Sequence, residues 1–384
     1  MTRPRLAPPR RAGRTSPMLL CTGLLTLLGL TACATTQAAA PAEAQLPAPL
    51  PHTALAPLPT VPPPSVPTSG PDAADCPGVA SYRPMTPMPT PGAMPRNTTM
   101  AAIQQRGHLI VGVDQDEYQV GYRNLAPFAP TGEEYKGFDI DLMHAVAQAV
   151  FGGSDGAQRI EFVPVGQGYS LGAADQGVVD VVADSVTMTC APQHQVRFSV
   201  DYLDSSERLL VRSSDKTVVN TTLDGDRVPR ITGLAGDRVC TVGTQASVQG
   251  IVALQRDGGF RVLIAGNWSD CLVLLQQGAV RALAGSSTIL AGLQAEDPYL
   301  AVVGDPLSYE PHGLAFPVFD PSSPGNAQFA SFVNAVIARI ESGEGGYCPQ
   351  PRAASDPSCW AALFRRWLEP ELALPTAPAP VYLP

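Results

Sequence analysis

The 384-residue sequence predicts an α/β fold of two similar lobes, each a mainly parallel sheet flanked by helices. The first observation is that predicted strands and helices alternate through most of the chain. The second is an internal match, because GVVDVVADS at 177–185 corresponds to GAVRALAGS at 278–286, and a helix ending in Gln-Gly precedes each. The third is that the two halves begin alike, at residues 107–111 and 236–240. Units of about 100 residues have the usual size of a domain.

The N-terminal residues 1–33 have the features of an export signal. Five arginines precede an apolar run over 18–30, which is shorter than the roughly 20 residues that a membrane span needs. Small residues then precede Cys33, in the bacterial lipobox pattern LTAC. We therefore expect a lipoprotein signal peptide, with Cys33 lipidated and the protein held on the extracytoplasmic face of the cell membrane. A plain signal peptide and an uncleaved anchor are the alternatives.

A Pro-rich linker is predicted over residues 34–97. Seventeen of the 40 prolines lie between residues 41 and 95, a composition that favours extended polyproline conformation or ordinary disorder. Cys76 indicates that the end of the linker, from about residue 75, docks on the folded part. Residues 371–384 form a second Pro-rich segment, a C-terminal tail.

The first lobe is predicted over residues 98–208. A helix that begins within the motif GFDIDL is expected to have Asp139 as its N-cap, Asp141 near its positive end, and Gly152 as its stop. The other predicted elements are a short helix over 100–105, a buried strand over 109–113, a strand over 159–165, a weak helix over 169–176 and a buried strand over 178–183.

The second lobe is predicted over 209–312, and the chain is predicted to return to the first lobe over 313–370. Short apolar segments at 209–211 and 313–316 are expected to carry the chain between the lobes. Two amphipathic helices, over 329–340 and 360–368, are expected to pack on the first lobe.

Composition excludes several classes of function. The net charge of −9 argues against nucleic-acid binding. The cysteines lack CxxC spacing and the five histidines are scattered, so neither a metal site nor a cofactor is expected. No nucleophile–His–acid set and no paired carboxylate stands out, and we therefore do not expect an enzyme.

The cysteines indicate disulfides. Six remain after the predicted signal peptide and lipidation site, and 15 connectivities are possible. Cys240 ends a strand and Cys271 starts a helix in the same lobe, so we expect that pair. Cys348 and Cys359 close a short loop, and Cys76 is then left for Cys190.

An ordered set of short motifs resembles the family 3 extracellular solute-binding proteins, the polar amino-acid receptors of ABC importers, with glutamine/glutamate-binding lipoproteins the most similar type. The motifs are GFDIDL at 137–142, VTMTC at 186–190, VRFSVDY at 196–202, DCLVLLQQG at 270–278, TILAGL at 288–293, GDP at 304–306 and YEPHGLA at 309–315. The resemblance implies a type II periplasmic-binding-protein-like fold, in which two α/β lobes joined by a two-strand hinge close over one small molecule.

The resemblance also implies a ligand site. Asp114 matches a ligand-facing aspartate, Tyr118 and Tyr169 fall near an aromatic wall, and residues 185–187 offer backbone and hydroxyl groups. A Gly-Thr turn then opens a helix of the second lobe. The residues carried over are Asp114, Tyr118, Tyr169, Ser185, Val186, Thr187, Gly243, Thr244, Gln245, Ala246 and Ser247.

Two positions depart from the family pattern. The arginine that holds the ligand's carboxylate is replaced by Pro192, and the aspartate that holds its ammonium group is replaced by Ser286, with Ser287 beside it. Asp184 is an additional carboxylate that could take over the ammonium group, or could cap the following turn.

Two functions therefore remain open. The first is a monomeric, lipid-anchored receptor that feeds a polar amino acid or related small solute to an ABC transporter permease. The second is a degenerate receptor that has lost the amino-acid clamp and acts on a membrane sensor partner. An enzyme on the same scaffold is disfavoured, since no catalytic set is present.

Overall fold

A computed structural model describes residues 78–125, 134–166, 169–190, 196–224, 228–243, 245–318, 325–343, 348, 356–369, 371–373 and 375–384. These residues belong to one unit of the chain, Pro59–Pro384. The predicted signal peptide with Cys33, and the linker up to residue 77, lie outside the described residues. No described helix combines the length and apolar character needed to cross a membrane.

The elements follow the predicted alternation. The helices are α1 (Thr99–Arg106), α2 (Phe138–Phe151), α3 (Ser170–Asp175), α4 (Gln245–Gly258), α5 (Trp268–Gln276), α6 (Ser287–Glu296), α7 (Gly325–Ser342) and α8 (Cys359–Trp367). The strands are β1 (Leu109–Val113), β2 (Asp116–Glu117), β3 (Gly121–Arg123), β4 (Tyr135–Lys136), β5 (Ile160–Pro164), β6 (Val181–Ala183), β7 (Val196–Phe198), β8 (Leu203–Ser205), β9 (Glu207–Arg212), β10 (Asn220–Leu223), β11 (Pro229–Thr232), β12 (Arg238–Val242), β13 (Arg261–Ala265), β14 (Ala282–Ser286), β15 (Leu300–Val303), β16 (Glu310–His312) and β17 (Ala315–Pro317).

Two five-stranded sheets form the lobes, in the orders β5-β1-β6-β17-β7 and β13-β12-β14-β9-β15. In the first sheet β1 pairs parallel with β5 and β6, while β17 runs antiparallel to β6 and β7. In the second sheet β12 pairs parallel with β13 and β14, while β9 runs antiparallel to β14 and β15. Strands β6 and β14, which the internal match relates, take the same third position. The predicted fold class of two α/β lobes is confirmed.

A two-stranded ribbon of β8 and β16 stands between the two sheets, with Leu203 opposite His312 and Ser205 opposite Glu310. The segments expected to cross between the lobes lie elsewhere. Residues 209–211 belong to β9 in the second sheet, and residues 315–316 belong to β17 in the first. Their apolar character reflects burial inside a sheet. The ribbon strands β8 and β16 lie a few residues before the segments that were expected to cross.

Helix α2 begins differently from the prediction. Gly137 is its N-cap residue, and Asp139 lies one residue inside the helix with its side chain fully buried. The Asp139 carboxylate accepts hydrogen bonds from the Tyr202 hydroxyl at 2.8 Å and from the Ser185 N–H at 3.2 Å. The expectation that Asp139 caps the helix is therefore wrong, because these two donors draw its side chain into the lobe.

The core of the first lobe includes the two C-terminal helices. Phe329, Phe332, Trp360 and Phe364 lie in one apolar cluster with residues of β1 and α2. The Trp360 indole also donates to the Tyr202 carbonyl at 2.7 Å. The helices predicted over 329–340 and 360–368 correspond to α7 and α8.

Both ends of the folded region are fastened to this lobe. Ser81 is buried, and its hydroxyl donates to the Phe198 carbonyl at 2.7 Å. Backbone hydrogen bonds join Ser81 to residues 381 and 383, near the C-terminus. The Asn334 side chain, fully buried in α7, donates to the Ser81 hydroxyl at 3.0 Å. Parts of the Pro-rich linker and tail thus pack against the body through polar contacts.

Two predicted disulfides are confirmed. Cys240–Cys271 joins β12 to α5 across a Cα–Cα distance of 5.7 Å, and Cys348–Cys359 joins residue 348 to the start of α8. Cys190 is also disulfide-bonded. Its expected partner, Cys76, lies outside the described residues.

Candidate functional site

Three buried carboxylates meet at the carboxyl ends of two adjacent strands of the first sheet. Asp114 follows β1 and Asp184 follows β6, while Glu117 reaches the same place from β2. One oxygen from each side chain lies within 4.8 Å of the others. The three residues are at most 5% exposed. Ligands of open α/β sheets bind at such strand ends, so this carboxylate cluster is the first candidate for the site.

Short-range hydrogen bonds fix the three side chains. The backbone N–H groups of Gln115 and Asp116 donate to Asp114 Oδ1 at 2.5 and 2.9 Å. The Ser185 hydroxyl donates to Glu117 Oε2 at 2.8 Å. Ser185 has a φ of 47°, a conformation that is uncommon outside glycine and is often found at functional sites. The turn after β6 is thus shaped to bring its hydroxyl to Glu117.

Burial and mutual repulsion change the proton affinity of the cluster. Burial raises the pKa of Glu117 well above its usual range, and the charges of Asp184 and Asp114 raise it further. Burial likewise raises the pKa of Asp184, with Asp114 as the next cause, although the Ser170 hydroxyl donates to it and lowers the pKa. The charges of Asp114 and Asp139 thus raise the pKa of both groups.

Burial also changes the pKa of Asp139, which lies in the first turn of α2. Burial raises the pKa of Asp139 to about 6, against the hydrogen bonds from Tyr202 and Ser185 that lower it. Asp139 in turn raises the pKa of Glu117 and of Asp184. Burial and the neighbouring carboxylates therefore favour the protonated forms of Glu117, Asp139 and Asp184, and a bound cation would favour their ionised forms.

Two kinds of cation suit this arrangement. An ammonium group has three donors and no acceptor, and carboxylate oxygens accept from such donors. A Ca²⁺ or Mg²⁺ ion also prefers carboxylate oxygens, but Ca²⁺ takes about six to eight of them. Backbone carbonyls and waters can complete such a shell, so the three carboxylates suit either an ammonium group or a metal ion.

The cluster lies next to the second lobe. Asp116, beside Glu117, accepts a hydrogen bond at 3.1 Å from the N–H of Ser269, in the first turn of α5. A helix N-terminus favours such an anion. The Tyr118 carbonyl approaches Gly292 of α6 so closely that a Cβ there would lie 2.2 Å from its oxygen. The residues directly before and after Glu117 therefore both contact the second lobe.

The two serines at the altered family position already have partners. The Ser205 hydroxyl donates to Ser286 at 3.1 Å and lies 3.0 Å from the Ser287 hydroxyl. Ser286 also lies 2.7 Å from the Thr288 hydroxyl and is 3% exposed. These contacts join the end of β14 to the ribbon strand β8.

The expected aromatic wall has one member near the cluster. Tyr118 packs on Tyr122 with ring centroids 4.8 Å apart, and Tyr122 contacts the edge of Trp367 at 6.4 Å. Tyr169 is 79% exposed and directly precedes Ser170, whose hydroxyl donates to Asp184.

The remaining expected residues follow the strand ends. The Val186 carbonyl accepts from the Gly313 N–H at 3.0 Å, and Thr187 forms a bridge with His312 of the ribbon. Gly243 directly follows β12. Thr244, the side chains of Gln245, Ala246 and Ser247, and Pro192 lie outside the described residues.

Sequence reasoning missed Glu117, Ser170 and Tyr202, and it misread Asp139. The run DQDE at 114–117 shows that acidic residues follow the first strand, which is a weak signal. Only the pairing of β2 with β3 directs Glu117 inward. Ser170 and Tyr202 carry no signal, because their roles depend on contacts between distant segments.

Two α/β lobes, a two-strand ribbon between them and a charged site at their junction define a clamp-type binding protein. Residues 109–345 match the model of the bacterial extracellular solute-binding proteins, family 3, and the chain belongs to this family.

Relatives with related names support the assignment. The chain is 26% identical over 248 residues to the ABC transporter glutamine-binding protein GlnH of Bacillus subtilis, covering 64% of this chain and 81% of that protein. It is 27% identical over 216 residues to the glutamine-binding protein of Geobacillus stearothermophilus, covering 56% of this chain and 75% of that protein. The solute receptor for L-cysteine of Neisseria gonorrhoeae shares the fold with a TM-score of 0.55, at 19% identity over 71% of this chain and 94% of that chain.

Proposed function

We propose that the protein is an extracytoplasmic receptor for a small amine-bearing solute of the amino-acid class, and that Asp114, Glu117 and Asp184 hold the ligand's ammonium group. The observation that carries this proposal is the convergence of three buried carboxylates at the carboxyl ends of β1 and β6, beside the second lobe. A ligand ammonium group would stabilise the ionised forms of Glu117 and Asp184 against the effect of burial.

The proposal explains the altered position in the second lobe. Ser286 occupies the place of the family's ammonium-binding aspartate, and its hydroxyl is engaged with Ser205 and Thr288. The cluster supplies acidic groups from the first lobe instead. A charge-assisted hydrogen bond contributes about 1.5–3 kcal/mol, so one carboxylate of the cluster can restore what the serine loses.

The ligand belongs to the amino-acid class because the chain belongs to family 3 and its relatives are named for glutamine. The backbone groups of residues 185–187 and the turn at 243–247 are left to hold the rest of the ligand. The proposed binding residues are Asp114, Glu117, Tyr118, Tyr169, Asp184, Ser185, Val186, Thr187, Gly243, Thr244, Gln245, Ala246, Ser247, Ser286 and Ser287.

The same family membership supports delivery of the ligand to an ABC importer. The lipobox pattern at Cys33 supports anchoring on the outer face of the membrane, and the Pro-rich segment after it supports a spacer between the lipid and the clamp. In this arrangement the protein acts as a monomer that presents its ligand to a permease, without chemical change of the ligand.

A thermal-shift screen tests the proposal. The panel contains glutamine, glutamate, cysteine and arginine, each beside its N-acetyl derivative, and CaCl2 and MgCl2 with and without a chelator. A ligand at about 100 times its Kd stabilises the folded state by about 2.7 kcal/mol. We expect at least one free amino acid to raise the Tm and its N-acetyl derivative, which lacks the charged α-ammonium group, to have no effect.

Matched variants locate the site. Asp184→Asn should weaken binding of the active amino acid by about 10- to 150-fold, from the loss of one charge-assisted contact. Asp175→Asn removes an exposed carboxylate of the same lobe and should leave affinity unchanged. Equal binding of the N-acetyl derivative would contradict the proposal, and so would a response to metal ions alone.

The neutral residues Pro192 and Ser286 favour a second candidate, a receptor that senses without tight ligand binding. In that case no solute of the panel would raise the Tm at millimolar concentration.

A further inference from the structure

Four arginines form a row across the second sheet. Arg238 starts β12 and lies directly opposite Arg261, which starts β13. Arg281 directly precedes β14 and Arg212 ends β9, and the registers of β12 with β14 and of β14 with β9, extended by one residue, place Arg281 between Arg238 and Arg212. Because neighbouring strands are about 4.8 Å apart, four adjacent positions span about 14 Å. The register of the sheet thus aligns these side chains at one edge.

This edge is the one away from the clamp. The row lies at the amino ends of the parallel strands β12, β13 and β14, whereas Gly243 and Ser286 lie at the carboxyl ends of β12 and β14. A ligand at the row would therefore not compete with one between the lobes.

The row lines a pocket of about 280 Å³. Its other lining residues come from two turns, at 236–237 and 278–280, and Asp237 is the one acidic residue among them. Ligand pockets usually measure about 300–1,000 Å³, so this volume fits a small anion or a single headgroup.

Carboxylates neutralise only part of the positive charge. Asp215, which is 8% exposed, pairs with Arg212 at 3.0 Å and with Arg281 at 3.1 Å. Arg238 and Arg261 are exposed and form no ion pair in the described part of the chain. With Asp237 included, the pocket keeps an excess of two positive charges, on a chain whose net charge is −9.

One buried donor also lacks a partner. The Nε of Arg281 is buried and makes no hydrogen bond, although its guanidinium is fixed by Asp215. A buried donor without a partner destabilises the fold, and an acceptor in the pocket would relieve that cost. Arg212 is held in place as well, since it also donates to the Leu275 carbonyl at 3.3 Å.

We propose that this arginine pocket is a second binding site, for a phosphate group that is either free or part of a lipid headgroup. A guanidinium matches the oxygens of a phosphate with two parallel hydrogen bonds and stays charged at every physiological pH. Arg212 and Arg281 form the fixed side of the site. Arg238 and Arg261 are the unpaired groups that contact the anion.

Isothermal titration calorimetry at low salt tests the site, with inorganic phosphate and with glycerol phosphate as probes. The informative variant is Arg238→Gln/Arg261→Gln. Its control is Arg83→Gln/Arg159→Gln, which removes the same charge from two exposed arginines of the first lobe. We expect saturable binding to the wild-type protein and the control, and at least a 10-fold loss in the informative variant. Asp237→Asn should strengthen binding, since it removes a like charge from the pocket.

Sedimentation with vesicles distinguishes the two sources of phosphate. Vesicles of phosphatidylglycerol in phosphatidylcholine are compared with phosphatidylcholine alone, using the same three proteins. The site belongs to a lipid headgroup if the wild-type protein and the control bind phosphatidylglycerol vesicles, Arg238→Gln/Arg261→Gln does not, and none of the three binds free phosphate. If neither probe separates the informative variant from its control, the proposal is wrong. Neither result depends on the amino-acid site, because its residues are untouched.

Discussion

Gly292→Ala separates closure of the clamp from the stability of the fold. Gly292 lies inside α6, where the Tyr118 carbonyl from the other lobe approaches it. An added Cβ would lie 2.2 Å from that oxygen. A carbon–oxygen contact settles at about 3.3 Å, so the segment bearing Tyr118 would have to retreat by about 1 Å.

The two effects of this substitution have opposite signs. Alanine is about 1 kcal/mol more favourable than glycine inside a helix, so the second lobe should be equally stable or more stable. Overpacking of a tight contact costs about 1–3 kcal/mol, and here that cost falls only on the closed arrangement. If ligand binding requires closure, affinity should fall by about 5- to 150-fold.

Calorimetry with the best solute from the screen and small-angle X-ray scattering of the saturated protein measure the two effects. We expect weaker binding and a larger radius of gyration, with no loss in Tm. Gly250→Ala is the control, because it also adds a methyl group to a helix of the second lobe but meets its nearest atom, in Glu207, at 3.5 Å. Unchanged affinity and radius of gyration in Gly292→Ala would refute the inference that this contact forms on closure.

Three further predictions concern stability. Burial raises the pKa of Asp201 to about 8 and that of Glu310 to about 7. The folded state therefore binds more protons than the unfolded state between about pH 4 and 8. Because of this difference, Tm should fall as pH rises from about 5 to about 8.5. Asp201→Asn should flatten that fall, and a Tm that rises with pH would contradict the assignment. Replacing both cysteines of the Cys240–Cys271 disulfide by Ala should lower the free energy of unfolding by about 4 kcal/mol, because the bond closes a sequence separation of 31. The same change at Cys348–Cys359, with a separation of 11, should lower it by about 3 kcal/mol. The reverse order in urea titrations would show that loop length does not decide the effect. Asn334→Ala should lower the free energy of unfolding by about 2–4 kcal/mol, because it removes the hydrogen-bond partner of the Val200 N–H and of the Ser81 hydroxyl. Asn220→Ala, at an exposed position, is the control. Equal urea midpoints of the two variants would show that the Asn334 contacts are not needed for stability.

The sequence allowed the two-lobe fold to be predicted because its signals are local and repeated. The match between 177–185 and 278–286 corresponds to β6 and β14, the central strands of the two sheets. The disulfide between Cys240 and Cys271 was also predictable, since both cysteines lie on a predicted strand and helix of the same lobe.

The positions of the crossings and of the site depended on information that one sequence does not carry. An apolar triplet such as 209–211 fits a crossing segment and a buried strand equally well, and only the pairing of β9 with β14 decides between them. Asp139 follows the pattern of an N-cap, yet its partners, Tyr202 and Ser185, come from residues far along the chain. The arginine row likewise requires the register of four strands.

A crystal structure of the protein with the solute that gives the largest thermal shift tests the central claim most directly. We expect the ligand's ammonium nitrogen within about 3 Å of carboxylate oxygens of Asp114, Glu117 and Asp184, with the lobes closed over it. A ligand whose ammonium group lies in the second lobe, or a cluster that holds only an inorganic cation while the solute binds elsewhere, would contradict the account.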